Sequence, residues 1–119
     1  MYNYFMLIGI ITDDIELRDV GEGKRVVNLT LAVQRDFKNM DGEYSYDYIR
    51  VSLWDFLADA AMDNLKKGKK IGVKGRIYPR KEPHEKGFKI PVNDLTVDRL
   101  IYFDDYTGEG ELPTVESEE

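Results

Sequence analysis

The sequence predicts a small all-β domain, five strands curled into a barrel with one helix between the third and the fourth, and three observations carry that prediction. Side chains alternate with a period of two over long stretches. The clearest is 46–54, where Tyr46, Tyr48, Arg50, Ser52 and Trp54 share one face and Asp47, Ile49, Val51 and Leu53 the other. One stretch, 55–68, changes to helical spacing. Gly75 then falls inside the next strand, where glycine usually marks a bulge, a bend or a close backbone approach.

The first strand, residues 3–11, is apolar on both faces and needs cover on both sides. Residues 13–23 are polar, end in Gly-Glu-Gly and read as a connection with some extended structure near Ile15 and Leu17. The second strand, 24–36, turns Val27, Leu29, Leu31 and Val33 to one face and Asn28, Thr30, Ala32 and Gln34 to the other. Asp41-Gly42 is a turn signal, so the second and third strands make a long antiparallel hairpin. In the helix, Phe56 or Leu57, Ala60 or Ala61, and Leu65 recur at helical spacing, with Asp55 as the amino-terminal cap and Gly68 as the stop. The fourth strand, 70–79, sets Lys74, Arg76 and Tyr78 in one row that Arg80 continues. Pro79 and Pro83 bracket a break, 80–87 is a basic loop, and 88–92 and 95–103 supply the last strands around an Asn93-Asp94 turn. One helix between the third and fourth strands of a small, bent antiparallel sheet is the arrangement of the OB barrel. The expected division is a folded domain at 1–103 and an acidic, disordered tail at 104–119.

The formal charge of −6 argues against an anionic partner until its distribution is read. Seven acids and no base lie in 104–119, which leaves 17 basic against 16 acidic residues in the rest of the 119-residue chain. Between Lys66 and Lys89, ten Lys or Arg face only Glu82 and Glu85, a local net of +8. The absence of cysteine suits a reducing compartment, and with no signal-like start and no long apolar run a cytoplasmic protein is expected. No enzyme is expected, and no cofactor or metal. His84 lies in a polar loop, the Gly21 and Gly23 pair lacks dinucleotide-loop spacing, and the acid pairs Asp13-Asp14 and Asp104-Asp105 read as turn and tail chemistry.

A face carrying Tyr46, Tyr48 and Trp54 around Arg50 is a platform on which unpaired bases can stack, or else a surface that a partner covers. Lys74, Arg76, Tyr78 and Arg80 form a cationic row that can border the same groove. In that arrangement rings take bases while Lys and Arg take phosphates, and neither reads base identity.

Residues 3–103 resemble the bacterial and phage single-stranded DNA-binding proteins. The resemblance rests on ELR with the glycine that follows, NLTLAVQRDFKN, IRVSLWDFLA and LKKGKKIGVKGRI, in that order. It implies an OB fold, usually assembled as a homotetramer, that coats exposed single strands during replication, recombination and repair. Stacking aromatics map onto Phe37, Tyr48 and Trp54, with Tyr46 and Tyr78 as further candidates. The phosphate contacts expected are Arg35, Lys38, Arg50, Lys74, Arg76, Arg80 and Lys81. Ile10 replaces a common arginine and Glu82 a common aromatic, and the tail lacks the family's Pro-Phe tip, so recruitment of replication or repair proteins through it is an open expectation. These departures favour the alternative reading, a protein-interaction or accessory replication subunit with weak or no DNA binding. Self-association is expected through Tyr4, Met6, Ile8 and Ile10, which share one face of the first strand.

Overall fold

The computed structural model describes residues 1–103, and the expected acidic tail lies outside them. The elements are β1 (Phe5–Ile11), β2 (Leu17–Gly21), β3 (Lys24–Lys38), β4 (Tyr44–Trp54), α1 (Phe56–Asn64), β5 (Lys70–Pro83) and β6 (Lys89–Tyr102). Five of the six strands close on themselves. β1 pairs with β5, β5 with β6, β6 with β4, β4 with β3, and β3 back with β1 at Ile10 and Ile11. The closure between β4 and β6 is the thinnest join, a single parallel contact at Ser52 and Thr96. This ring is the one expected for the barrel, with α1 between its third and fourth strands in chain order.

The sixth strand corrects the reading of 13–23 as mainly a connection. Leu17–Gly21 is β2, paired along β3 from Leu17 opposite Val27 to Gly21 opposite Lys24. Every residue of β2 is exposed, so it lacks the apolar alternation that marks a strand; it is a strand by its backbone pairing with β3. A second correction concerns the carboxyl-terminal half. Pro79 and Pro83 do not break β5, which pairs with β6 from Ile71 to Pro83, and Asn93-Asp94 lies inside β6, opposite Pro79 and Tyr78. Proline is tolerated where a hairpin arm leaves one edge unpaired, because no ladder bond there needs its missing N–H. The true turn is at 84–87, closed by the His84 N–H donating to Phe88 O at 2.7 Å and the Gly87 N–H to His84 O at 2.9 Å.

The inward rows of the ring make the core: Val27, Leu29 and Leu31 from β3, Val51 and Leu53 from β4, and Ile71 and Val73 from β5, with Ala58, Ala61 and Leu65 closing one end. No polar or charged residue is buried among the described residues. Gly75 does what its position suggested. The β5–β6 register shifts between Lys74 and Gly75, and a Cβ at Gly75 would lie 1.9 Å from the Thr96 carbonyl oxygen.

The helix begins as expected but is held differently at both ends. Asp55 stands at the cap position with φ of 54°, yet its side chain makes no cap bond. Its carboxylate instead accepts from the Arg25 N–H at 3.1 Å. The helix ends at Asn64, before Gly68, whose φ of +93° belongs to the turn into β5. There the Gly68 N–H donates to Ile11 O at 2.8 Å. Arg25 also donates to both Asp59 oxygens, which ties the helix to β3. No helix is long and apolar enough to cross a membrane among the described residues.

Candidate nucleic-acid interface

Strand β4 displays what its alternation requires: Val51 and Leu53 are buried, while Arg50 is exposed and Trp54 is 39% exposed. Pairing with β3 sets Trp54 opposite Val26, Ser52 opposite Asn28, Arg50 opposite Thr30 and Tyr48 opposite Ala32. Cross-strand partners share a face, so the row from Tyr48 to Trp54 runs beside Ala32, Thr30, Asn28 and Val26, with Tyr48 half-buried and Trp54 the more accessible of the two rings. Ser52 Oγ lies 2.7 Å from Asn28 Oδ1, the hydroxyl donating, and this bond fixes the middle of the row.

Opposite this wall stands the hairpin arm formed by β5 and β6. Between them runs a groove of about 600 Å³ lined by Arg50, Ser52 and Trp54 on one side and by Arg80, Glu82 and Asp94 on the other. The two rows expected to border one groove therefore meet through Arg50 and Arg80. Asn28 and Arg50 also line a smaller depression of about 230 Å³ beside Asp13, Asp14, Glu16 and Arg18.

Charge in the groove is more balanced than the local net of the sequence suggests. Arg80 pairs with Glu82 at 2.6 Å and with Asp94. The hydrogen bond to Asp94, then that to Glu82, raises the Arg80 guanidinium above its ordinary range. Arg50 is in no ion pair among the described residues. Two arginines thus face two carboxylates, and an incoming phosphate must compete for Arg80 but not for Arg50.

The remaining expected residues are dispersed. Arg35 lies 2.7 Å from Asp47, a pairing whose hydrogen bond raises the guanidinium and lowers the carboxyl from their ordinary ranges. Phe37, 69% exposed, projects from the β3–β4 hairpin beside Arg35 and Asp47. Lys38 lies over the Tyr44 ring at 5.6 Å. Tyr46 faces Gln34, its hydroxyl 3.4 Å from Oε1, and lines a depression with Ile8, Ile10 and Lys70. Arg76 stacks over Tyr78 at 5.3 Å, and Lys74 sits 5.6 Å from the Tyr4 ring. Neither Arg76, Tyr78, Lys74 nor the exposed Lys81 lines the groove beside Trp54. Tyr4, Met6 and Ile8 are exposed and Ile10 is half-buried, so the outer row of β1 is a surface.

The architecture and this interface can be set beside known proteins. Residues 2–102 match the model of the single-strand binding protein family. The chain belongs to that family. Among its curated relatives is single-stranded DNA-binding protein B of Bacillus subtilis, 38% identical over 104 residues that cover 87% of this chain and 92% of the relative. The single-stranded DNA-binding protein of Streptococcus mutans is 36% identical over 100 residues, 84% of this chain and 61% of the relative. Single-stranded DNA-binding protein A of B. subtilis is 34% identical over 110 residues, 92% and 64% respectively. The chain thus spans nearly all of the first relative's length but less than two thirds of the other two.

Within this member of the family, sequence reasoning missed parts of the groove wall. Asp94 reads locally as a turn residue beside Asn93, although Val92, Asp94 and Thr96 keep the strand's alternation and could have revealed it. Phe56, one of two candidates for the helix's core contact, is 87% exposed, and Leu57 packs against the core instead.

Proposed function

We propose that this protein is a non-catalytic binder of single-stranded DNA, largely indifferent to sequence, that coats strands exposed during replication, recombination or repair. The observation that carries the reading is the groove that brings Trp54 and Arg50 of β4 against Arg80 of the β5–β6 arm. The Trp54 ring there offers a π-face to any base, and the guanidinium groups offer charge to the backbone, so affinity rises without base readout. The relatives named as single-stranded DNA-binding proteins support it independently. Tyr48, Phe37, Tyr46 and Tyr78 extend the stacking surface in this reading, with Arg35, Lys38, Lys74, Arg76 and Lys81 as outlying phosphate contacts. In this reading the acidic residues 104–119 are a route to protein partners, and a cytoplasmic setting suits a chain without cysteine.

The chain has one tryptophan, so its fluorescence reports on the groove alone. Titration with oligo-dT at two salt concentrations should quench Trp54, and the affinity should fall as salt rises because phosphate contacts release counterions. An unquenched Trp54 with no salt-sensitive complex would defeat the proposal. It would favour a protein-interaction module whose light-scattering mass is indifferent to oligonucleotide.

A further inference from the structure

The β5–β6 arm continues beyond the groove, and its end carries an aromatic pair that the groove does not use. His84 and Phe88 stack face to face, ring centroids 4.4 Å apart and planes 10° from parallel. The turn between them is firmly specified. Gly87 has φ of +93°, which suits the left-handed position of a three-residue hairpin loop, and the Lys86 N–H donates to His84 Nδ1 at 3.1 Å. That last bond fixes the imidazole in its plane, so Phe88 rests on an oriented partner. Phe88 nevertheless remains 52% exposed.

Register decides which way this pair faces. Arg80 is opposite Val92 and Glu82 opposite Ile90. Arg80, Glu82, Val92 and Asp94 all line the groove. Side chains two apart on a strand share a face, and cross-strand partners share it too. His84 and Phe88 are the next pair outward in that series, so the stack continues the groove-facing side of the ribbon. Arg80 to His84 is four residues, roughly 13 Å at the rise of an extended strand. Lys86 and Lys89 flank the stack, and the hydrogen bonds of the tip run among residues 84–88.

We infer that the His84–Phe88 stack is a second base-stacking site for single-stranded DNA, placed one step along the arm from Glu82 and supplying the ring that Glu82 does not. This rests on the groove being the DNA path. A strand leaving Trp54 across Arg80 meets the exposed side of Phe88, while His84 covers the other side and holds the ring in place. Stacking on such a ring costs little ordering, because the ring is already oriented.

The test is a length series of oligo-dT titrated against the wild-type protein and Phe88→Ala, read by Trp54 quenching. Oligonucleotides too short to leave the groove should bind both proteins alike. Longer ones should bind Phe88→Ala at least about fivefold more weakly, the lower end of what removal of one stacking ring costs. Phe88→Tyr should restore the wild-type series. Equal affinities at every length, with Trp54 quenching intact, would overturn the inference while leaving the groove reading standing; absence of quenching in the wild type would remove both. Photocrosslinking of the wild-type protein to an iodouracil-substituted strand gives a readout independent of any variant. Adducts at Phe88 support the site, and adducts confined to β3 and β4 contradict it. A change in light-scattering mass on Phe88→Ala without change in DNA affinity would assign the tip to contacts between copies of the chain and overturn the inference.

Discussion

Arg80 illustrates how one side chain can be correctly identified and still differ from its expected state. Its place in a basic row pointed to phosphate binding, and the fold does bring it to the groove, but Glu82 and Asp94 already occupy its guanidinium. An exposed ion pair of this kind contributes little to stability. Its larger effect is on binding, because a phosphate must displace a carboxylate that is tethered beside Arg80. Glu82→Gln removes one competitor and one negative charge from the groove wall. Oligo-dT should bind this variant more tightly at low salt, with a steeper dependence of affinity on salt, because Asp94 is then the one carboxylate left competing for Arg80. Equal slopes and equal affinities in the two proteins would show that Glu82 does not compete with phosphate for Arg80. Arg50 needs no such release, so it should dominate the wild-type salt dependence.

Among the elements, those whose side chains alternate were legible and those held by backbone pairing were not. β3 and β4 follow their sequences because Val27, Leu29, Leu31, Val51 and Leu53 all turn inward to one core. β2 was read only as some extended structure near Leu17, because its five residues are all exposed and what marks it as a strand is pairing along β3. The arm was misread because prolines and an Asn-Asp pair are strong local turn signals, whereas its continuity comes from cross-strand pairing that no local signal reports. Asp55 likewise has the chemistry of a cap, but its carboxylate found the Arg25 N–H, a partner 30 residues away. The β4 wall and Arg80 opposite it were therefore visible in the sequence, while the place of Asp94 waited on the continuity of the arm. Gly75 was legible on that side too, since glycine within an apolar strand signals crowding. Its β5–β6 bulge leaves no room for a methyl group against the Thr96 carbonyl. Gly75→Ala must shift backbone rather than a flexible side chain, and it should lower the urea-unfolding free energy by about 3 kcal/mol, the upper end of ordinary overpacking. A loss below about 0.5 kcal/mol would mean that the two strands separate there easily.

For the molecule as a whole, the groove and the outer row of β1 present different chemistry. Tyr4, Met6 and Ile8 are 57%, 47% and 41% exposed in consecutive outward positions. Beside them β1 pairs with β5 from Phe5 to Ile10, but among the described residues its other edge meets β3 only at Ile10 and Ile11. An apolar strip next to an open strand edge is what a closed two-fold contact between copies buries, because the same strand can supply both halves. One such contact yields a dimer, and a tetramer requires a second surface on each copy. Lys74 lies with Tyr4 on this face and not in the groove lining, so any phosphate contact it makes is an outlying one. Ile8→Glu places a charge in the middle of the strip without entering the core. Light scattering at micromolar concentration should then show the variant at a smaller assembly than the wild type, by at least a factor of two in mass. Because Ile8 is not among the residues lining the groove, Trp54 should still be quenched by a short oligonucleotide. A wild-type protein that is itself monomeric at that concentration would refute the contact, and loss of quenching in the variant would show that the groove depends on assembly.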